Sequence, residues 1–105
     1  MNEIFDIAWS SRAGKDLQKI KTYYEDNASE EVSKKILRAI VSVVQPTAQY
    51  PEKFPPDLLL KKYGNFRFIK KWNFRVIYEF TGHQIIVHRI VHAKQNMKSV
   101  LRYVR

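Results

Sequence analysis

The chain has 105 residues, nineteen Lys+Arg against ten Asp+Glu for a net charge of +9, and no cysteine. That length accommodates one domain burying about 60–70% of its unfolded surface. The missing cysteines exclude a disulfide framework, a thiolate metal site and a cysteine nucleophile, in keeping with a reducing cytoplasmic setting. The opening Met1-Asn2-Glu3-Ile4-Phe5-Asp6 carries acids where a secretory leader needs a basic stretch and an apolar run. No window approaches the run of about 18 apolar residues that spans a bilayer, so a cytoplasmic protein without a membrane partner is expected. The charge is unevenly placed. Residues 1–52 hold seven basic and eight acidic side chains, whereas residues 53–105 hold twelve basic ones and only Asp57 and Glu79 as acids. A concentrated surplus of this kind implies a polyanion or an acidic partner.

From Glu3 to Trp9 the pattern alternates, with Phe5, Ile7 and Trp9 on one side, which predicts a half-buried first strand. Ser10 or Ser11 can cap a following helix in which Ala13, Leu17, Ile20 and Tyr24 form one stripe and Asn27 is the terminator. Ser29, with Glu30 and Glu31 at the positive end of the helix dipole, starts a second helix. Val32, Ile36, Ile40 and Val43 carry it to about Gln45. Two amphipathic helices in succession make a hairpin. All four prolines, Pro46, Pro51, Pro55 and Pro56, fall in one connector where neither helix nor central strand persists.

Three strands are predicted after it, over 65–72, 74–80 and 84–92. Trp72-Asn73 is a tight turn between the first two, and Thr81-Gly82-His83 closes an antiparallel hairpin between the others. From Lys94 onward, Met97, Val100, Leu101 and Val104 share one helical stripe, while Lys94, Lys98, Arg102 and Arg105 share another. This predicts a short basic C-terminal helix.

The order of strand, helical hairpin, proline-rich connector, three antiparallel strands and basic tail resembles the RelE/ParE toxin superfamily over essentially the whole chain. The segment from Trp9 to Tyr24 is similar to the superfamily's pattern of tryptophan, serine, alanine, aspartate-leucine, isoleucine and tyrosine. Tyr50-Pro51 is similar to the aromatic-proline pair that closes its second helix. Phe66-Arg67, Asn73-Phe74-Arg75-Val76-Ile77-Tyr78, Ile85 to Arg89, Val91-His92 and Lys94-Gln95 carry the rest. The resemblance implies an α+β domain spanning residues 1–105, with a mainly antiparallel curved sheet and the helical hairpin on one face. It also implies a growth-inhibiting toxin of a type II toxin–antitoxin system, without cofactor or metal, held in a hetero-oligomer with a cognate antitoxin whose acidic amphipathic segment covers the basic half.

Two targets fit the superfamily, and they demand different chemistry. A RelE-like ribosome-dependent mRNA endoribonuclease would use Arg67 and Arg75 as phosphate clamps and His92 to move protons. For those arginines the competing expectation is an internal ion pair with Asp57 or Glu79. The nucleases tend to end in arginine-tyrosine or histidine-tyrosine, whereas this chain has Gln95, Met97 and Leu101 there, with Tyr103 as its remaining aromatic. The ParE branch inhibits DNA gyrase and needs no catalytic constellation, and Val91-His92-Ala93-Lys94-Gln95-Asn96-Met97 resembles its C-terminal pattern. The ParE-like reading is therefore preferred, with mRNA cleavage as the alternative and a non-toxic basic nucleic-acid-binding module as the third. The candidate contact residues are Arg67, Lys70, Lys71, Arg75, Arg89, Lys94, Lys98 and Arg102. Interleaved Phe66, Phe68, Trp72 and Tyr78 are available to a core or to base stacking.

Overall fold

The computed structural model describes residues 3–92; the C-terminal helix expected from Lys94, and with it the candidate contacts Lys94, Lys98 and Arg102, lies outside the described residues. The observed order is β1 (Asp6–Trp9), α1 (Ser11–Asn27), α2 (Glu30–Val44), a 3-10 turn over Gln45–Ala48, a second over Lys61–Tyr63, then β2 (Phe66–Lys71), β3 (Phe74–Phe80) and β4 (Gln84–His92). The four strands form one sheet in the order β1-β4-β3-β2. β1 runs parallel to β4, and the β4–β3–β2 meander is antiparallel.

Local chemistry explains the boundaries. β1 ends at Trp9 because Ser10 turns the chain into α1: its Oγ accepts from the Ala13 N–H at 3.0 Å and donates to the His88 carbonyl at 2.9 Å. The cap is thus Ser10, not Ser11. At the other end the Asn27 side chain donates to the Tyr23 carbonyl at 2.8 Å. Ser29 caps α2 through the Val32 N–H at 3.0 Å, and the buried Ser33 hydroxyl donates to the Lys21 carbonyl at 3.0 Å, joining the two helices. Pro46 cannot extend α2, so the helix tightens into the 3-10 turn from Gln45.

The helical hairpin covers one face of the sheet. Ala13, Ile40 and Val44 pack there against Ile69, Val76, Tyr78, Ile85, Val87 and Ile90, and each fully buried Ile or Val contributes about 1.5–3 kcal/mol. A second, smaller cluster of Leu60, Phe66, Ile77 and Val91 lies on the outer face. Leu60 comes from the connector, which also protects the sheet's free edge. The Asp57 N–H donates to the Phe66 carbonyl at 2.9 Å and the Phe68 N–H to the Pro55 carbonyl at 3.1 Å, so Pro55–Asp57 runs antiparallel along β2. Pro55 contributes only an acceptor there, as an edge position allows.

A bulge opposite Ile77 and Tyr78 inserts one residue into β4. Before it, Ile85 and Val87 face the helices; after it, Ile90 does, and Val91 joins the outer cluster. Between them Arg89 also turns toward α1, where it is 2% exposed and donates to both Asp16 carboxylate oxygens, Nε at 2.7 Å and Nη2 at 3.2 Å. The Ile90 N–H donates to the same carboxylate at 2.9 Å. Arg89 was expected on the contact surface; it is instead an internal member of the α1–β4 joint.

The β2–β3 hairpin closes on the Lys71–Phe74 pair, leaving Trp72-Asn73 as a two-residue loop. Trp72 adopts φ 52°, a conformation that tight hairpins normally give to Gly or Asn, and a bulky residue there costs on the order of 1–3 kcal/mol.

Removing one partner of a buried pair strands the other charge. Asp16→Ala is therefore expected to lower unfolding free energy by about 3–5 kcal/mol, read from urea midpoints at unchanged slope. The double variant Asp16→Leu/Arg89→Met should recover most of the loss, whereas equal losses in both would refute an electrostatic origin.

Candidate functional site

The strand register separates the residues expected to act together. A two-residue loop closed by Lys71 and Phe74 pairs odd-numbered with even-numbered residues. Two odd-numbered residues, Arg67 and Arg75, must therefore face opposite sides of the sheet.

Arg67, opposite Tyr78, lies on the helix-facing side with Ile69 and fastens the connector. Its Nε donates to Asn65 Oδ1 at 2.9 Å, its Nη1 to the Phe54 carbonyl at 2.8 Å, and its Nη2 lies 3.4 Å from Glu52 Oε2. Beside it the Tyr78 hydroxyl donates to the Pro51 carbonyl at 2.7 Å. Burial pushes the Tyr78 phenol up to about 12, against the opposing pull of the Arg67 charge.

Arg75 lies on the outer face, directly across from Lys70. Its guanidinium carbon sits 3.8 Å from the Phe68 ring centroid, a cation–π stack, and Nη2 is 3.4 Å from Asp57 Oδ2. The Asp57 carboxylate is 1% exposed and also accepts from the Leu59 and Leu60 N–H groups at 3.0 and 3.2 Å. Of the acids considered as internal partners, Asp57 is the one Arg75 engages. These residues, with Leu58 and Leu59, line a cleft of about 250 Å³.

His92 pairs with Phe74 and meets its ring edge-on at 5.6 Å. It lines a separate cleft of about 120 Å³ with Arg12, Asp16, Lys19 and Arg89, on the helix side. The phosphate clamp expected from Arg67 and Arg75 with His92 beside them is thus not formed: the three stand in three different places. His88 engages Glu79 instead, Nε2 to Oε1 at 2.9 Å, with its ring 5.2 Å from Phe66. Among the described residues, no group of His, Asp and Glu has the arrangement to hold a metal ion.

What the structure does gather is a basic end. Lys70, Lys71, Arg75 and His92 lie at the Lys71–Phe74 end of the sheet. Arg12 and Lys19 reach the same end through the cleft they share with His92. Sequence reasoning missed those two because they lie on a helix whose own charge is nearly balanced. Their signal was the interruption of the α1 apolar stripe by Asp16, which marks the face turned to a cation. A further cleft of about 690 Å³ lies at the other end of the sheet, lined by Phe5, Tyr50, Pro51 and Phe80 with Gln49, Glu52 and Lys53.

An α+β sheet with one helical hairpin, a proline-rich edge cover and a basic end is the architecture that the resemblance to the RelE/ParE superfamily implied. Within it, residues 7–97 match the family model of the ParE toxin of type II toxin–antitoxin system, parDE, and the chain belongs to that family. Comparison with curated proteins gives no significant sequence match. Among solved structures, a chain of the chromosomal ParDE TA system from P. aeruginosa is similar, with a TM-score of 0.71 at 22% identity over 85% of this chain and 96% of that chain. That likeness concerns the fold. The sheet is mixed, since β1 is parallel to β4, and otherwise antiparallel as expected.

The Tyr78 phenol gives a direct check on the packing around Arg67. With its pKa raised from 10.0 to about 12 in the folded state, its contribution to stability is complete below pH 10 and is lost as pH climbs toward 12. An ultraviolet tyrosine titration should contain a late step near pH 12, and Tyr78→Phe should remove it. A titration curve left unchanged above pH 11 by Tyr78→Phe would contradict the packing.

Proposed function

We propose that this toxin arrests growth by inhibiting DNA gyrase without covalent chemistry, and that a cognate antitoxin neutralises it with an acidic amphipathic segment laid on the basic end. Family membership supplies the toxin; the observation that carries the non-catalytic reading is the separation of Arg67, Arg75 and His92. Cleaving RNA by attack of a ribose hydroxyl requires a proton acceptor within hydrogen-bond reach of that hydroxyl and cations converging on the same phosphate. Here Arg67 is spent on the connector, Arg75 on Asp57 and Phe68, and His92 faces a cleft on the opposite side of the sheet from Arg75. Inhibition of a large enzyme needs only a surface. The remaining lysines of the basic end, with the charge of residues 94–105, supply one whose field favours association with an anionic partner in the cytoplasm. No helix among the described residues is long and apolar enough to cross a membrane.

Induction in cells is expected to cause arrest with a DNA-damage response and intact mRNA, and purified toxin should abolish gyrase supercoiling. His92→Gln should leave both effects unchanged. Rapid mRNA loss that His92→Gln abolishes would replace this reading with ribosome-dependent cleavage. Trimming Lys98 to Arg105 should weaken gyrase inhibition, and undiminished inhibition would remove the tail from the contact surface.

A further inference from the structure

We propose that the tip of the β2–β3 hairpin is a single-stranded nucleic-acid contact, in which Trp72 stacks on an unpaired base while Lys70 and Lys71 engage the neighbouring phosphates. This goes beyond gyrase inhibition and does not depend on which enzyme the toxin arrests.

Three independent observations converge on the tip. Trp72 is 54% exposed, the largest side chain in the chain to be left so open, although its ring is of the kind that cores and interfaces recruit. Its backbone holds φ 52°, the one positive φ outside glycine among the described residues. A tight turn of this type accepts Gly or Asn without strain, and Asn73 stands next to it, so folding alone would favour the other order. Strain retained at an exposed position points to a use for the side chain it displays.

The charges around the ring tell the same story. Lys70 is exposed on the outer face, directly across from Arg75, whose own charge is paired with Asp57. Lys71 holds its ammonium 4.5 Å from the Trp72 ring centroid. The acid closest to this group, Asp57, is buried and already shared between Arg75 and two backbone N–H groups. A planar ring flanked by two lysines suits a base and its phosphates. Stacking needs only a π-face, and lysines meet phosphates as point charges, so the contact would tolerate many sequences. An acidic peptide would satisfy the cations but leave the indole face without a flat partner.

The chain holds two tryptophans, so in a Trp9→Phe background the emission reports Trp72 alone. Titration with oligothymidylate at low salt should quench that emission. Affinity measured by anisotropy of a labelled oligothymidylate on the unmodified toxin should fall with salt at a log–log slope of about −1.4, from about 0.7 per phosphate met by two lysines. Trp72→Gly should raise the melting temperature by relieving the turn, yet weaken oligothymidylate binding by about tenfold. Lys70→Ala/Lys71→Ala should flatten the salt dependence. Emission unmoved by oligothymidylate, unchanged affinity in Trp72→Gly, or equal quenching by polyglutamate would each overturn the proposal.

Discussion

The Asp16 carboxylate, buried between α1 and β4, is the contact on which the rest of the molecule depends. β1 pairs with β4 only as far as Val87, because at Ser10 the chain leaves the sheet and becomes helix. β4 continues five residues further, and without a neighbour strand its backbone groups would be orphaned on that side. The start of α1 substitutes for the missing strand. The Ser10 N–H donates to the Val87 carbonyl at 3.0 Å, Ser10 Oγ donates to the His88 carbonyl, and Asp16 accepts the Ile90 N–H. Burying a carboxylate to do this is costly unless a cation comes with it, and the β4 bulge supplies Arg89. One carboxylate thus seats the helical hairpin, completes the sheet edge and takes an arginine out of the surface charge.

The same division of labour runs through the basic half. Arg67, Arg75 and Arg89 each make directed contacts with an acid, and two of them add a backbone carbonyl or an aromatic face. A planar guanidinium fork suits that task. Lys61, Lys62 and Lys70 are exposed instead, as strongly hydrated ammoniums are expected to be. In the helical half three of the lysines close i,i+4 pairs, Lys21 with Glu25, Lys34 with Glu30 and Lys35 with Glu31, each worth a few tenths of a kcal/mol at most. Arg67, Arg75 and Arg89 therefore build the sheet, three helical lysines balance local acids, and Lys19 and Lys70 stay exposed at the basic end. The inhibition by surface contact proposed above draws on such a cationic end and needs no preorganised catalytic group.

Much of the chain was legible from its residues because the relevant physics is local. Serine caps, apolar stripes at helical spacing, clustered prolines and alternating strands each act within a few positions, and β3 and β4 span the ranges their alternation indicated. The first strand is shorter than its pattern, since Glu3 to Phe5 precede the ladder and Phe5 bonds to the Ala48 carbonyl instead. The candidate site was legible only as a charge surplus. Convergence of Arg67 and Arg75 was the natural expectation for two guanidiniums on adjacent strands, yet the Trp72-Asn73 turn already placed them on opposite faces.

By itself the sequence determined the fold class, the family and the half of the chain that carries the positive charge, because composition, caps and periodicity are properties of neighbouring residues. Only the tertiary structure decided which cations remain available. The partners of Arg89 and Arg75 lie 73 and 18 residues away along the chain, and no local rule specifies which distant acid a bulge or a connector will bring to a given arginine.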